Sequence, residues 1–393
     1  MDKRVRSALI AAGLLIAIAW AAASLRFESA HSKNLYSLAV ASAIIVDALL
    51  FAEALNVASP VIEVLFGMIA GWLGVKATGS LEPLALMGGS AVMFLAGLEV
   101  DVPFVKDNLK ESIAIGLAGF AAPLLASSLV FAAMGYTARV ALLVGVALST
   151  TSVAVVYAII KAMGVERSHL GQAALSSAMV ADVASIVVFA LLLVETSLGL
   201  VLYIVGLVVV PFILAWLLRG LPALGYEAEV RIIIALLLAA TLVSEAVGIH
   251  AVLASFILGL ALQEFAREPP VRDKIEALIT GFLAPVFFVT AGINASIASP
   301  GEALLLALAF LALTYPLKIL ATWAAFKSLL RQAPRELVTS FGARLTVSTL
   351  IAYVGLKGGF LQPRVAGAIM LSAVLATLAS GLLARPSEPL FEA

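Results

Sequence analysis

One aspartate and one run of four hydroxyls are the residues here with the most chemistry to offer. From Ser149 to Phe189 the chain reads STTSVAVVYAIIKAMGVERSHLGQAALSSAMVADVASIVVF. Ser149, Thr150, Thr151 and Ser152 interrupt one apolar run, and Asp182 interrupts the next. Asp182 falls twelve residues into the apolar stretch from Leu170 to Val194, or ~18 Å at ~1.5 Å per residue. That is close to the middle of a bilayer, where a lone carboxylate is costly and marks a functional site by default. A carboxylate can hold a proton or a small cation, and the two compete for it. The hydroxyls could ligate such a cation, through their side chains or through the carbonyls of an unwound stretch. They could equally bond back to the preceding turn and bend a helix.

Two basic residues also fall at depth. Lys318 follows Pro316 mid-way along an apolar run, too far from either end to reach water easily. Arg344 sits in SFGAR, beside Gly342, where unwinding would be easy. Each is a charge partner or a structural element, and an ion pair with Asp182 is one reading of both. Glu63, Glu99 and Glu245 lie near the ends of apolar runs, where a solvated carboxylate is the expectation.

The elements that must position these residues are membrane helices. Charged residues make up 12% of the 393, against about 25% in soluble domains, and mean hydropathy is +1.14. Fourteen apolar segments follow one another. They run Ser7 to Leu25, Leu35 to Leu55, Pro60 to Val75, Leu84 to Val100, Lys110 to Met134, Ala138 to Ala162 and Leu170 to Val194. The rest run Leu198 to Leu218, Glu229 to Val247, His250 to Phe265, Ile275 to Ile297, Glu302 to Ser328, Arg335 to Leu356 and Pro363 to Ala384. The first could be a signal peptide, but it is longer than the usual h-region and reads as a retained helix. With the N-terminus inside, 16 of the 24 Lys and Arg fall in inner loops, 6 in outer loops and 2 within spans. That bias places both termini in the cytoplasm. Zero net charge argues against a nucleic-acid partner, the absence of cysteine excludes thiolate metal sites, and the three histidines have no ligand spacing. No GxxxxGKS/T loop is present, so the chain carries no ATP-driven motor and no nucleotide site is expected.

A weak internal repeat is visible. VIEVLFGMIAG (Val61 to Gly71) resembles VLASFILGLAL (Val252 to Leu262), setting Gly67 opposite Gly259. VMFLAGLEVD (Val92 to Asp101) resembles FFVTAGINAS (Phe287 to Ser296), setting Gly97 opposite Gly292. The offset of about 190 residues carries Thr150 to the neighbourhood of Gly342, and related segments run in opposite directions. Chance likeness between apolar helices is the competing account. Inverted repeats place a substrate site at their interface near the midplane.

In order and spacing, PVIEVLFGMIAG, FLAGLEVD, LSTTSVAVV, AMVADVASIVV, SEAVGIHAVLASFILGLAL, PVFFVTAGI, YPLKIL and GARLTVSTLIAYVGL resemble the monovalent cation:proton antiporter-2 family of Kef-type and Nap-type exchangers. The likeness runs from about Leu35 to Ala384. It implies an all-α polytopic fold of about 13–14 membrane helices, with inverted repeats and two crossed unwound helices, the Nha-type antiporter fold. It also implies an extra N-terminal helix (1–34), scaffold and dimerisation helices (35–109 and 229–301), a core in two halves (110–197 and 302–393) and a linker helix (198–228). The family's essential aspartate falls on Asp182 and its mid-membrane lysine on Lys318. Position 181 departs from the pattern: relatives carry an acid or an amide there, and this chain has Ala181. Lys318 then lacks its usual carboxylate, which leaves stoichiometry open. Kef-type proteins also carry a C-terminal nucleotide-binding domain, and no counterpart is expected after Ala384.

The expectation is a homodimer in the plasma membrane that exchanges a monovalent cation, sodium first, for protons by alternating access. Asp182 with Thr150, Thr151, Ser149 and Ser152 would bind the cation or proton, with Lys318 and Arg344 as charge partners and no cofactor beyond the transported ions. Potassium/proton exchange or potassium efflux is the nearest rival. A sodium-coupled organic-anion symporter would need a roomy cavity and a second ion site. An intramembrane aspartyl protease would need two catalytic aspartates, and Asp47 lies outside any GxGD context. Saturable, proton-coupled flux would separate an exchanger from a channel.

Overall fold

The architecture is that of a computed structural model, which describes residues 30–55, 57–77, 79–99, 109–165, 167–193, 209–217, 225–246, 251–295 and 300–384. The expected first helix and the first half of the expected Leu198 to Leu218 segment lie outside those residues. The described secondary structure is helical throughout. In chain order the helices are α1 (Ala30–Leu55), α2 (Ser59–Trp72), α3 (Leu81–Glu99), α4 (Leu109–Ala133), α5 (Ala138–Ser149), α6 (Val153–Ala162) and α7 (His169–Leu193). There follow α8 (209–217), α9 (Tyr226–Ala246), α10 (Ala251–Ala261), α11 (Pro269–Leu278) and α12 (Ala284–Asn294). The last four are α13 (Pro300–Leu330), α14 (Arg335–Ser340), α15 (Thr346–Lys357) and α16 (Pro363–Leu383). A single π-helical turn, Ile279–Leu283, joins α11 to α12, so the two form one rod with a local register change.

Among the described residues eight helical stretches are long and apolar enough to cross a bilayer, and α2 and α15 are shorter apolar helices. Large apolar side chains such as Trp72, Leu129, Leu242 and Leu305 stand exposed on the outside of the bundle, as lipid-facing residues do.

Two groups of helices emerge from the packing. In the first, α3 lies along α10 and α2 along α12, with α1 and α9 beside them. In the second, α4 is packed by α5, α7 and α13, and α16 by α13 and α15. Close approach in the first group depends on glycine. A Cβ at Gly67 would run into the Val289 carbonyl oxygen and sit 3.1 Å from the Gly292 Cα. A Cβ at Gly97 would run into the Phe256 carbonyl and sit 3.1 Å from the Gly259 Cα. The sequence repeat pairs Gly67 with Gly259 and Gly97 with Gly292, so one contact is mapped onto the other. A two-fold relation between the halves produces that exchange; chance likeness between apolar helices does not.

In the second group both expected crossing segments are broken. Residues 150–152 separate α5 from α6, and 341–345 separate α14 from α15. Thr150 leaves the helix with extended backbone (φ −60°, ψ 160°), and Ser152 is likewise extended. The breaks are joined directly, the Ser152 amide donating to the Ala343 carbonyl at 2.8 Å. Gly342 serves contact more than unwinding, since a Cβ there would collide with the Tyr315 ring and the Ser380 hydroxyl.

Surface ion pairs tie helix ends together. Lys274–Glu227 (3.0 Å) lies within the first group and Arg364–Glu302 (3.1 Å) within the second. Lys357–Glu82 joins the end of α15 to the start of α3 and so spans the two groups.

Candidate functional site

Breaking a helix at Ser149 leaves the last carbonyls of α5 without intrahelical partners, at the negative end of its dipole. Their new partners come from other elements. The Ser348 hydroxyl donates to the Ala147 carbonyl at 2.6 Å. The Arg344 guanidinium donates to the Leu148 carbonyl. The Lys318 ammonium donates to the Ser149 and Thr150 carbonyls at 2.6 and 2.5 Å. Arg344 is further held by Thr314 and Ser372, each at 2.8 Å. Both basic side chains are fully buried. They satisfy the half-helix end and complement its partial negative charge.

Neither of them pairs with Asp182. Among the described residues the ion pairs lie at helix ends, and none includes Asp182, Lys318 or Arg344. A structural ion pair for Asp182 is therefore not what the fold uses. Asp182 instead lines a cavity of about 490 Å³. Thr150, Thr151 and Ser152 of the first break line the same space, as do Leu345, Thr346 and Val347 at the second. Thr150 and Thr151 are 1% and 3% exposed, and their hydroxyls have no hydrogen-bond partner among the described residues. Ser149 is placed differently: its hydroxyl bonds back to the Gly145 and Val146 carbonyls, as a helix-end hydroxyl can, and it stays outside the cavity. Lys318 and Arg344 also stay outside it.

Val153 and Ala154 of α6 continue this side of the wall, and the rest of it comes from the first helix group. It includes Ser59, Pro60 and Glu63 at the start of α2, Glu99 at the end of α3, and Thr280 and Gly281 in the π turn. The start of α2 and the end of α3 share one face of the bundle, so the cavity opens toward that face. On the other face the groups meet in apolar contact. Phe287 and Tyr353 pack edge to face with centroids 5.6 Å apart. The space left there, beside Gly89, Leu350 and Tyr353, is about 10 Å³, at most the room of one water. Access to Asp182 is thus one-sided.

Glu63 corrects the expectation of a solvated, interfacial carboxylate: it is 3% exposed. Ser59 donates to its Oε1 at 2.6 Å, while Oε2 has no partner. One signal could have found it. Glu63 lies four residues before Gly67, on the stripe that packs inward. Glu99 does stand exposed, at the cavity rim. Asp47 is buried in α1 with neither carboxylate oxygen partnered, and it does not line the cavity. The side chain of Glu245 lies outside the described residues.

The family model described as the transmembrane sodium/hydrogen exchanger matches residues 38–387. The chain belongs to that exchanger family. Among curated exchangers it is 28% identical over 250 residues to the probable Na+/H+ antiporter 3 of Methanocaldococcus jannaschii, spanning 59% of this chain and 64% of that protein. It is 24% identical over 326 residues to the Na+/H+-K+ antiporter GerN of Bacillus cereus, spanning 79% and 83% of the two. Cation/H+ antiporter 18 of Arabidopsis thaliana is 29% identical, and only 30% of its length is spanned. The solved structure of the sodium proton antiporter MjNhaP1 from Methanocaldococcus jannaschii superposes with a TM-score of 0.62 at 18% identity, covering 89% of this chain and 96% of that one. The two share the exchanger fold.

Proposed function

We propose that this membrane protein exchanges a monovalent cation, sodium first, for a proton at Asp182. The observation that carries the reading is the placement of charge around the broken helix. Lys318 and Arg344 are engaged by carbonyls at the first break, so among the described residues Asp182 shares the cavity wall with two threonines whose hydroxyls are unpartnered and with no cation of the protein. A carboxylate so placed takes a proton or a small cation, and competition for it couples the two fluxes. The one-sided cavity supports alternating access. The names of the relatives support sodium, and GerN's adds potassium as the second ion to test.

The helix groups support a division of labour. Helices within 35–109 and 229–301 would form the stationary, dimerising scaffold, and 110–197 with 302–393 the moving core; 198–228 would link them, after the extra segment 1–34. The positive-inside bias supports both termini in the cytoplasm and the open face of the cavity inward; the protein would work as a homodimer in the plasma membrane. Lys318, tied to two carbonyls, would remain an ammonium throughout. One proton would then exchange for one monovalent ion, without net charge movement.

The test is proton flux from proteoliposomes against sodium, lithium and potassium gradients, with and without a valinomycin-set potassium diffusion potential. Sodium-driven flux whose steady-state gradient ignores voltage is expected. Absence of cation-driven proton flux would remove the exchange reading, and a voltage-dependent gradient would remove the fixed-lysine part of it.

A further inference from the structure

The cavity holds more acidic side chains than a single-acid exchange site requires. Among the described residues three carboxylates line it, Asp182 from the second helix group and Glu63 and Glu99 from the first, and no Lys, Arg or His does. Ala181, the chain neighbour of Asp182, is fully buried and outside the cavity, so it supplies nothing to the ion. Glu99 stands exposed at the rim, where water can screen it. Glu63 differs from it. Its side chain is buried at 3% exposure, and the Ser59 hydroxyl orients one oxygen while the other is left without a donor. A carboxylate oxygen withdrawn from water, given no donor and set in a cavity wall is an acceptor prepared for a mobile partner. Its neighbours there are uncharged or acidic, so the partner that fits is a cation.

We propose that Glu63 is a second monovalent-cation-binding carboxylate of the same cavity, reached from the open face and occupied before the ion passes to Asp182. The inference rests on the exchange reading of Asp182 given above. The two carboxylates belong to different helix groups. When the groups shift against each other Asp182 travels and Glu63 stays, so Glu63 can assist binding from one side only. It is a loading station rather than a carrier.

Glu63→Gln tests this, because glutamine keeps an oxygen for Ser59 while losing the charge. In proteoliposomes of known orientation with sodium as the probe, half-saturating sodium at the open face should rise about three- to tenfold. Maximal rate and half-saturation at the closed face should stay near wild type. An unchanged open-face value, an equal rise at both faces, or a fall in maximal rate alone would each overturn the proposal while leaving Asp182 in place. Direct binding gives a readout independent of transport. Purified Asp182→Asn protein should retain weak radiolabelled-sodium binding that vanishes when E63Q is added. No sodium binding in Asp182→Asn alone would refute the second site. If E63Q does not fold, Ser59→Ala decides: it frees the oriented oxygen, and a smaller rise confined to the open face supports the proposal, whereas no rise overturns it.

Discussion

The two helix breaks have related backbones and unlike chemistry. At the first, the terminal α5 carbonyls are met by side chains from elsewhere: Ser348, Arg344 and Lys318. At the second, α14 closes on itself. The Gly342 and Ala343 amides bond to the Thr339 and Ser340 carbonyls, and the Ser340 hydroxyl caps Leu337. One break imports two cations, and the other exports Arg344 to serve it. The first helix group shows no such inequality, since its two glycine contacts are near copies. Symmetry is kept where the helices pack, and abandoned at the broken helix beside the cavity. Repeated backbone can supply two equivalent access states, but only unequal side chains can give them one shared site.

The largest effect expected from disturbing this comparison is at Asp182. Asp182→Asn should abolish cation/proton exchange while leaving the protein folded, because among the described residues no other carboxylate of the second helix group lines the cavity. Retention of half the wild-type flux in a monodisperse mutant would be fatal to the assignment.

The symmetric region predicts matched losses. Gly67→Ala and Gly259→Ala each push a methyl into a carbonyl of the facing helix, and each should destabilise by about 1–3 kcal/mol. Thermal unfolding in detergent reads this. Tolerance of one and collapse of the other would show that the two contacts are not equivalent.

The smallest effects separate hydroxyls within one run. Thr150→Ala and Thr151→Ala should each raise half-saturating sodium about two- to tenfold, with little change in maximal rate. Ser149→Ala should leave it unchanged, since that hydroxyl is spent on its own helix. If all three behave alike in transport assays, the hydroxyls bend the helix and do not ligate.

Much of this was legible in the chain. Asp182 announced itself because depth along an apolar segment translates directly into depth in a bilayer. The first break was legible because four adjacent hydroxyls interrupt an apolar run, and the second because the repeat offset carries Thr150 to the neighbourhood of Gly342, although that glycine serves contact more than unwinding. The glycine pairs were legible as a repeat, though not as crossed contacts, since a one-dimensional offset does not say which helices touch. Glu63 was misread because nearness to a helix end was taken for nearness to water, and α2 begins inside the bundle wall. The partners of Lys318 were hidden for a different reason. A lysine among apolar residues suggests a missing acid, whereas carbonyls freed by a break carry no mark in side-chain identity. The π turn does carry a mark, since Pro285 follows it and has no N–H to give the Gly281 carbonyl four residues back.

The Lys357–Glu82 pair is the ion pair among the described residues that joins the two helix groups, and it lies on the closed face. Opening that face must part it. An exposed pair of this kind is worth about 0–1 kcal/mol, and dissolved salt weakens it. It therefore works as a light catch on the resting equilibrium, tilting it toward the conformation seen here by roughly fivefold at most. The catch loosens as ionic strength rises on its own side of the membrane. In the proposed alternating-access cycle the resting bias would thus be set partly by the salinity of the compartment the closed face looks upon.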